Sequence, residues 1–233
     1  MIYDSTIWKE KLFKIATSLY KGTQWKRFRN GQEALIEEKV FLSAYIIRKL
    51  FEAKKLSYYL TNASIKIIKY ENKKPVDLMN WHRLDDLYNL EKPKNSIIEI
   101  RYLVNFIIHS FVFFPCRHGK APKLDGFFVT SDRFKNKYII YVNIFNFIGL
   151  LEIIANDEKV AFHIKRNEKL DYEEDDPFTN NYLKEFELEM SKFLEDQNIS
   201  DEERIFFIKQ REQLINERKV DCEKYGIISE TFL

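Results

Sequence analysis

An α+β fold is the class this sequence predicts, and three observations carry the prediction. The chain has 233 residues, 45% of them hydrophobic, enough to bury a real core. It is rich in Phe and Tyr (20 and 13) but has only 6 Gly, which favours long elements over a many-stranded sandwich. Stretches with helical periodicity also alternate with short β-branched runs. The expected architecture is a mainly helical body over residues 1–167 with a small antiparallel sheet between about 127 and 166. An acidic linker and helical hairpin over 168–233 complete it.

The first helix starts after Asp4, Ser5 or Thr6 and sets Trp8, Leu12, Ile15 and Leu19 on one face, with Gly22 ending it. The segment that follows interleaves Lys21, Lys26, Arg27 and Arg29 with Trp25 and Phe28. Cations beside aromatic rings suit single-stranded nucleic acid. The same residues suit a helix end that buries its rings and turns its charges to water. After Gly31 a long helix from about Gln32 to Lys55 carries Ile36, Val40, Ala44, Ile47 and Phe51, with Leu42, Ile46 and Leu50 widening the stripe.

Ser64–Tyr70 is β-branched and partly alternating, hence a strand. Trp81–Leu90 forms a short helix before Pro93, with His82, Arg83, Asp85 and Asp86 close together at spacings that match no metal motif. A solvated charged turn explains them as well.

The stretch from Asn95 to Pro115 organises the rest. Asn95 or Ser96 caps a central helix over 96–110, and Glu99 completes a capping box with Ser96. Ile97, Ile100, Leu103, Val104, Ile107 and Ile108 cover more than half its circumference, so other elements must wrap it. Arg101, Asn105 and His109 recur every fourth residue and form a polar stripe that drifts by about 80°. Either these are structural polar groups, with His109 and Ser110 ending the helix, or His109 transfers protons in a site.

Asn105 and His109, with three residues between, resemble the second half of the motif of HEPN-type helical domains. The ribonuclease members of that family carry Arg, often followed by Asn, then three residues and His, and act on RNA phosphates across a dimer interface. Val104 stands here in place of the motif Arg, and Arg101 lies one turn earlier, roughly 12 Å along the axis from His109. The resemblance covers about 15 residues, or about 100 with the preceding helices. It implies His109 as acid/base, Arg101 or Arg117 stabilising phosphate charge, and Asn105 orienting the pair.

Phe111–Pro115 leaves the helix as an extended aromatic run, and Cys116, Arg117, His118 and Lys120 fall in a loop able to line the same pocket. Phe127–Asp132 and Lys137–Asn143 read as a hairpin. Tyr138–Ala155 is nearly long enough to cross a bilayer, but Asn143, Asn146 and Glu152 interrupt it. A strand followed by a buried helix is expected. Lys159–Arg166 alternates as a further half-buried strand with His163 on its polar face.

Charge is segregated. Residues 168–233 hold 9 basic and 19 acidic side chains, a net of −10, and residues 1–167 hold 29 and 17, a net of +12. A basic body attracts phosphates, RNA or an acidic partner. Glu168–Asp176 reads as a hinge ending at Pro177. Beyond it Phe178, Tyr182, Phe186, Met190 and Phe193 recur on one helix face, and Ser200 with Glu203 opens a second helix to about Lys224. This hairpin, residues 178–224, packs on the body, on a second copy or on a protein partner.

Two cysteines, Cys116 and Cys222, give neither a disulfide framework nor a zinc module, and no metal or other cofactor is expected. Residues 1–20 lack signal-peptide features, so a cytoplasmic location is expected, and no membrane partner. No Gly-rich phosphate loop, dinucleotide fingerprint or nucleophile elbow occurs. The abundance of Lys, Ile, Asn, Phe and Tyr suggests an AT-rich, bacterial source. Two functions are therefore expected as alternatives. One is a non-enzymatic interaction or accessory subunit of a bacterial intracellular system, in defence or on a mobile element. The other is a divergent HEPN-like, metal-independent ribonuclease.

Overall fold

A computed structural model describes residues 2–27, 31–117, 123–157, 163–166, 172–175 and 227–228. The chain divides into two compact units, Met1–Asp157 with Asp221–Leu233, and Glu158–Val220.

The first unit is α+β: helices pack on an antiparallel sheet. Helix α1 (Thr6–Gly22) buries Leu12, Ile15, Ala16 and Leu19. Helix α2 (Gln32–Glu52) starts at Gly31, whose φ of 86° suits glycine. Ile36, Val40, Ala44, Ile46, Ile47 and Leu50 of the predicted stripe are buried, together with Ser43, while Leu42 and Phe51 are half-buried. After the single turn α3 (Tyr58–Thr61) comes strand β1 (Ser64–Glu71), an interior strand of the sheet. A connection containing the turn α4 (Leu84–Leu87) leads to β2 (Lys94–Glu99), and the chain then passes directly into α5 (Ile100–Ile108). Strands β3 (Ser110–Arg117), β4 (Leu124–Ser131) and β5 (Tyr138–Asn143) follow, then α6 (Ile144–Ala155).

The strand order is β2-β1-β5-β4-β3, and β8 (Ile227–Ile228) pairs with Ser64 and Ile65 at the start of β1, whereas β5 pairs with Ile68 to Glu71 at its other end. Ile65 and Ile67 of β1, Phe127 and Val129 of β4, and Ile140 and Val142 of β5 join the buried stripes of α1, α2, α5 and α6 in the main core. Alternation in the strands sends Tyr70, Phe128 and Ile139 to the opposite face. There Val76, Leu84, Leu87 and Tyr88 cover part of the sheet.

Four expectations change. The central helix begins at Ile100 and ends at Ile108, because Lys94–Glu99 pairs with β1 from Ser64↔Glu99 to Lys69↔Lys94. Ser96 is thus a strand residue and caps nothing; the Ile100 N–H is satisfied by the Ala63 carbonyl at 3.0 Å. The sheet is larger than expected, because Ser64–Glu71 is an interior strand between β2 and β5, and β8 also pairs with it. Cys116 and Arg117 lie on β3 rather than in a loop.

Beyond Asp157, β6 (His163–Arg166) pairs with β7 (Tyr172–Asp175), so part of the expected acidic hinge is strand. The proposed helices over 178–224 lie outside the described residues.

Tyr138–Ala155 is a strand turning into a helix, and Asn143 marks the turn. Its Oδ1 accepts from Phe145 N at 2.9 Å and Asn146 N at 3.4 Å, so the residue that interrupts the apolar run caps α6. Among the described residues, no helix is long and apolar enough to cross a membrane.

Candidate functional site

Helix α5 is amphipathic in the sense the sequence predicts. Ile100, Leu103, Val104, Phe106 and Ile107 are buried, while Arg101 and His109 are exposed and Asn105 is half-buried. Val104, which stands in the motif position of Arg, is a core residue. His109 is the C-cap; its N–H bonds the Asn105 carbonyl at 3.0 Å, and its own carbonyl accepts from Asp132 N at 3.4 Å. Backbone bonds thus fix the residue while its ring stays open to solvent.

The arginine at His109 comes from another helix. Arg48 Nη1 on α2 lies 3.5 Å from His109 Nε2. A guanidinium only donates, so this contact is a hydrogen bond only with Nε2 as its acceptor. Arg48 Nε donates to Glu52 Oε1 at 2.9 Å, and Lys49 Nζ donates to Glu52 Oε2 at 2.6 Å. These bonds, that from Lys49 first, hold the Glu52 carboxyl below its usual range, and the same contact raises Lys49. Glu52 is therefore a charged acceptor and not an acid.

Arg101 stacks its guanidinium 5.2 Å from the ring centre of Phe51. Tyr45, one turn before Lys49 and 46% exposed, has the Lys49 ammonium 5.8 Å above its ring, and Tyr102 on α5 is 58% exposed. The α2–α5 surface therefore joins cations, open aromatic rings and one exposed imidazole.

The other predicted residues lie elsewhere. Lys21, Lys26 and Arg27 are exposed at and after the end of α1; Trp25 is half-buried against the main core and next to Gly22. Arg29 lies outside the described residues. Arg117 Nη2 is 3.9 Å from Glu33 Oε1 on α2. Sequence reasoning missed Arg48, Lys49 and Glu52. Their i, i+4 spacing advertises an ordinary helix-surface ion pair, and nothing local links Arg48 to a histidine 61 residues away.

Among the described residues no group of three or more His, Cys, Asp or Glu side chains is placed to hold a metal ion. Asp85 and Asp86 are exposed on α4, as are His82 and Arg83 before it. Chemically, the α2–α5 surface can bind an anion and offer one imidazole to it. Comparisons with protein-family models, curated proteins and solved structures find no match to this chain.

Proposed function

We propose that the chain is a non-enzymatic accessory subunit of a bacterial intracellular system, of the kind that serves defence or mobile elements. In this reading its basic body holds a phosphate-bearing ligand, RNA in the first instance, and residues 178–224 engage a protein partner. The observation that carries it is the Arg48–His109 contact beside Lys49, with Arg101 on the same pair of helices over Phe51. Such an arrangement receives an anion well, because cations already held by neighbours lose little freedom when a phosphate arrives. Glu52, the carboxylate beside the pair, is committed to Arg48 and Lys49, which favours binding over proton relay. The opposed charges of residues 1–167 and 168–233 support an internal or external acidic competitor for the same body.

A second reading rests on the same contact: a HEPN-like ribonuclease in which His109 serves as acid/base and Arg48 supplies the positive charge that Val104 does not.

One experiment separates them. A mixed single-stranded RNA pool is incubated with wild type, His109→Ala and Arg48→Ala, with divalent metal and with chelator, and both retention and cleavage are scored. Circular dichroism confirms folding. Retention without cleavage, weakened by Arg48→Ala, supports the accessory reading. Cleavage in chelator that His109→Ala abolishes supports the ribonuclease. Folded protein that neither retains nor cleaves RNA overturns both. Partner binding is tested by replacing residues 178–220 with a flexible linker, which keeps Ile227 in the sheet; loss of assembly with an unchanged melting temperature is the expected result.

A further inference from the structure

The β4–β5 turn concentrates positive charge. Within residues 132–137 stand Arg133, Lys135 and Lys137, and Lys69 of β1 joins them across the sheet. Asp132 is the one carboxylate in the turn, and Lys135 takes it at 2.8 Å. Among the described residues, no carboxylate lies within ion-pair distance of Lys69, Arg133 or Lys137.

Aromatic rings, and not acids, hold these three cations. The Lys69 ammonium lies 3.7 Å from the ring centre of Tyr138. Arg133 and Lys137 lie 5.5 and 5.6 Å from the ring centre of Phe134. Phe134 and Tyr138 pack at 5.2 Å, and both stack on Phe106 of α5 with planes 19° apart. The rings thus form a small rigid base rooted in the core, and the attraction between ring faces and cations offsets part of the repulsion among like charges. Cations kept in place without neutralisation are ready for an anionic ligand.

The turn adjoins the α2–α5 surface, because Asp132 N–H bonds the carbonyl of His109. The cations therefore continue from Lys69, Arg133 and Lys137 towards His109, Arg48 and Lys49. The exposed rings of Tyr45 and Tyr102 stand on that second surface. Phosphate-directed cations beside open aromatic faces match a single nucleic-acid strand, whose backbone is charged and whose bases stack; an acidic peptide would use only the cations.

We propose that Lys69, Arg133 and Lys137 bind the phosphate backbone of a single-stranded RNA and lead it to the Arg48–His109 surface. This rests on the phosphate-ligand reading above and adds the track that the strand follows.

The test measures binding of a short fluorescein-labelled single-stranded RNA against salt. The proteins are wild type, the charge reversal Arg133→Glu with Lys137→Glu, the neutral pair Arg133→Gln with Lys137→Gln, and a control reversal of Lys11 and Lys14 on the exposed side of α1. A labelled polyglutamate is the second probe, and thermal melts confirm folding. The expected result is binding to RNA that weakens by about tenfold or more in the neutral pair, and further in the reversal. The salt slope should fall by about 1.4 for two lost phosphate contacts, with the control unchanged. Wild-type RNA binding that both pairs leave intact overturns this track while sparing the phosphate-ligand reading. Binding of polyglutamate but not RNA overturns the choice of ligand, and binding of neither removes both.

Discussion

The ring of Tyr141 lies over Gly126 in place of a side chain. A Cβ on Gly126 would approach two of its ring carbons to 2.6 Å and meet the Val142 carbonyl oxygen. Glycine is needed here for this close approach, since the ring of a β5 residue fills a gap on β4. Gly126→Ala should therefore push the two strands apart and cost about 1–3 kcal/mol, the usual range for overpacking. Urea denaturation measures it; an unchanged midpoint would show that β4 shifts freely.

The same ring is anchored by its hydroxyl, which donates to Asp125 Oδ2 at 2.7 Å. Tyr141→Phe keeps the ring and loses this bond, so it should destabilise by about 1 kcal/mol. A loss as large as that of Gly126→Ala would point to repacking instead.

Burial, and then the bond to Asp125, raise the ionisation of the Tyr141 phenol well above its ordinary value of 10.0, and burial does the same to Tyr88. A phenol that resists ionisation when folded but ionises when unfolded stabilises fully below pH 10.0. That contribution is lost as pH rises through the folded value. Stability should therefore decline above about pH 10, and the absorbance of ionised tyrosine should rise for these two only as the fold opens. Complete titration of all tyrosines near pH 10 with the fold intact would contradict the packing described.

Burial pushes the Cys116 thiol up to about 12. Since the thiolate is the reactive form, Cys116 should be slow to alkylate at pH 8 in the folded protein and fast in denaturant. The measurement uses Cys222→Ser, which leaves Cys116 as the one thiol in the chain. Rapid labelling of that folded variant would show that β3 opens.

Ile227 is 3% exposed and pairs with Ile65 at the edge of β1. Ile227→Ala should cost about 2–4 kcal/mol, and removal of residues 227–233 at least as much. A neutral result would mean that β8 adds nothing to the core.

Local sequence was enough for elements whose signal is contained in their own residues. The stripes of α1 and α2, the start at Gly31, the hairpin of β4 and β5 and the buried helix after Asn143 all follow from periodicity and capping. The polar stripe of α5 was equally legible, because a helix of fixed period places Arg101 and His109 on its open side whatever packs beneath.

Tertiary structure decided the rest. Asn95 to Glu99 fits a capped helix start as well as a strand, and only the hydrogen bonds offered by β1 make it a strand. What surrounds His109 was likewise invisible: Arg48 and Asp132 reach it from 61 residues before and 23 after. Periodicity fixes which side of an element faces the core, since that depends on neighbours a few residues away. Which charges meet across two elements depends on how those elements cross, and no local pattern encodes that.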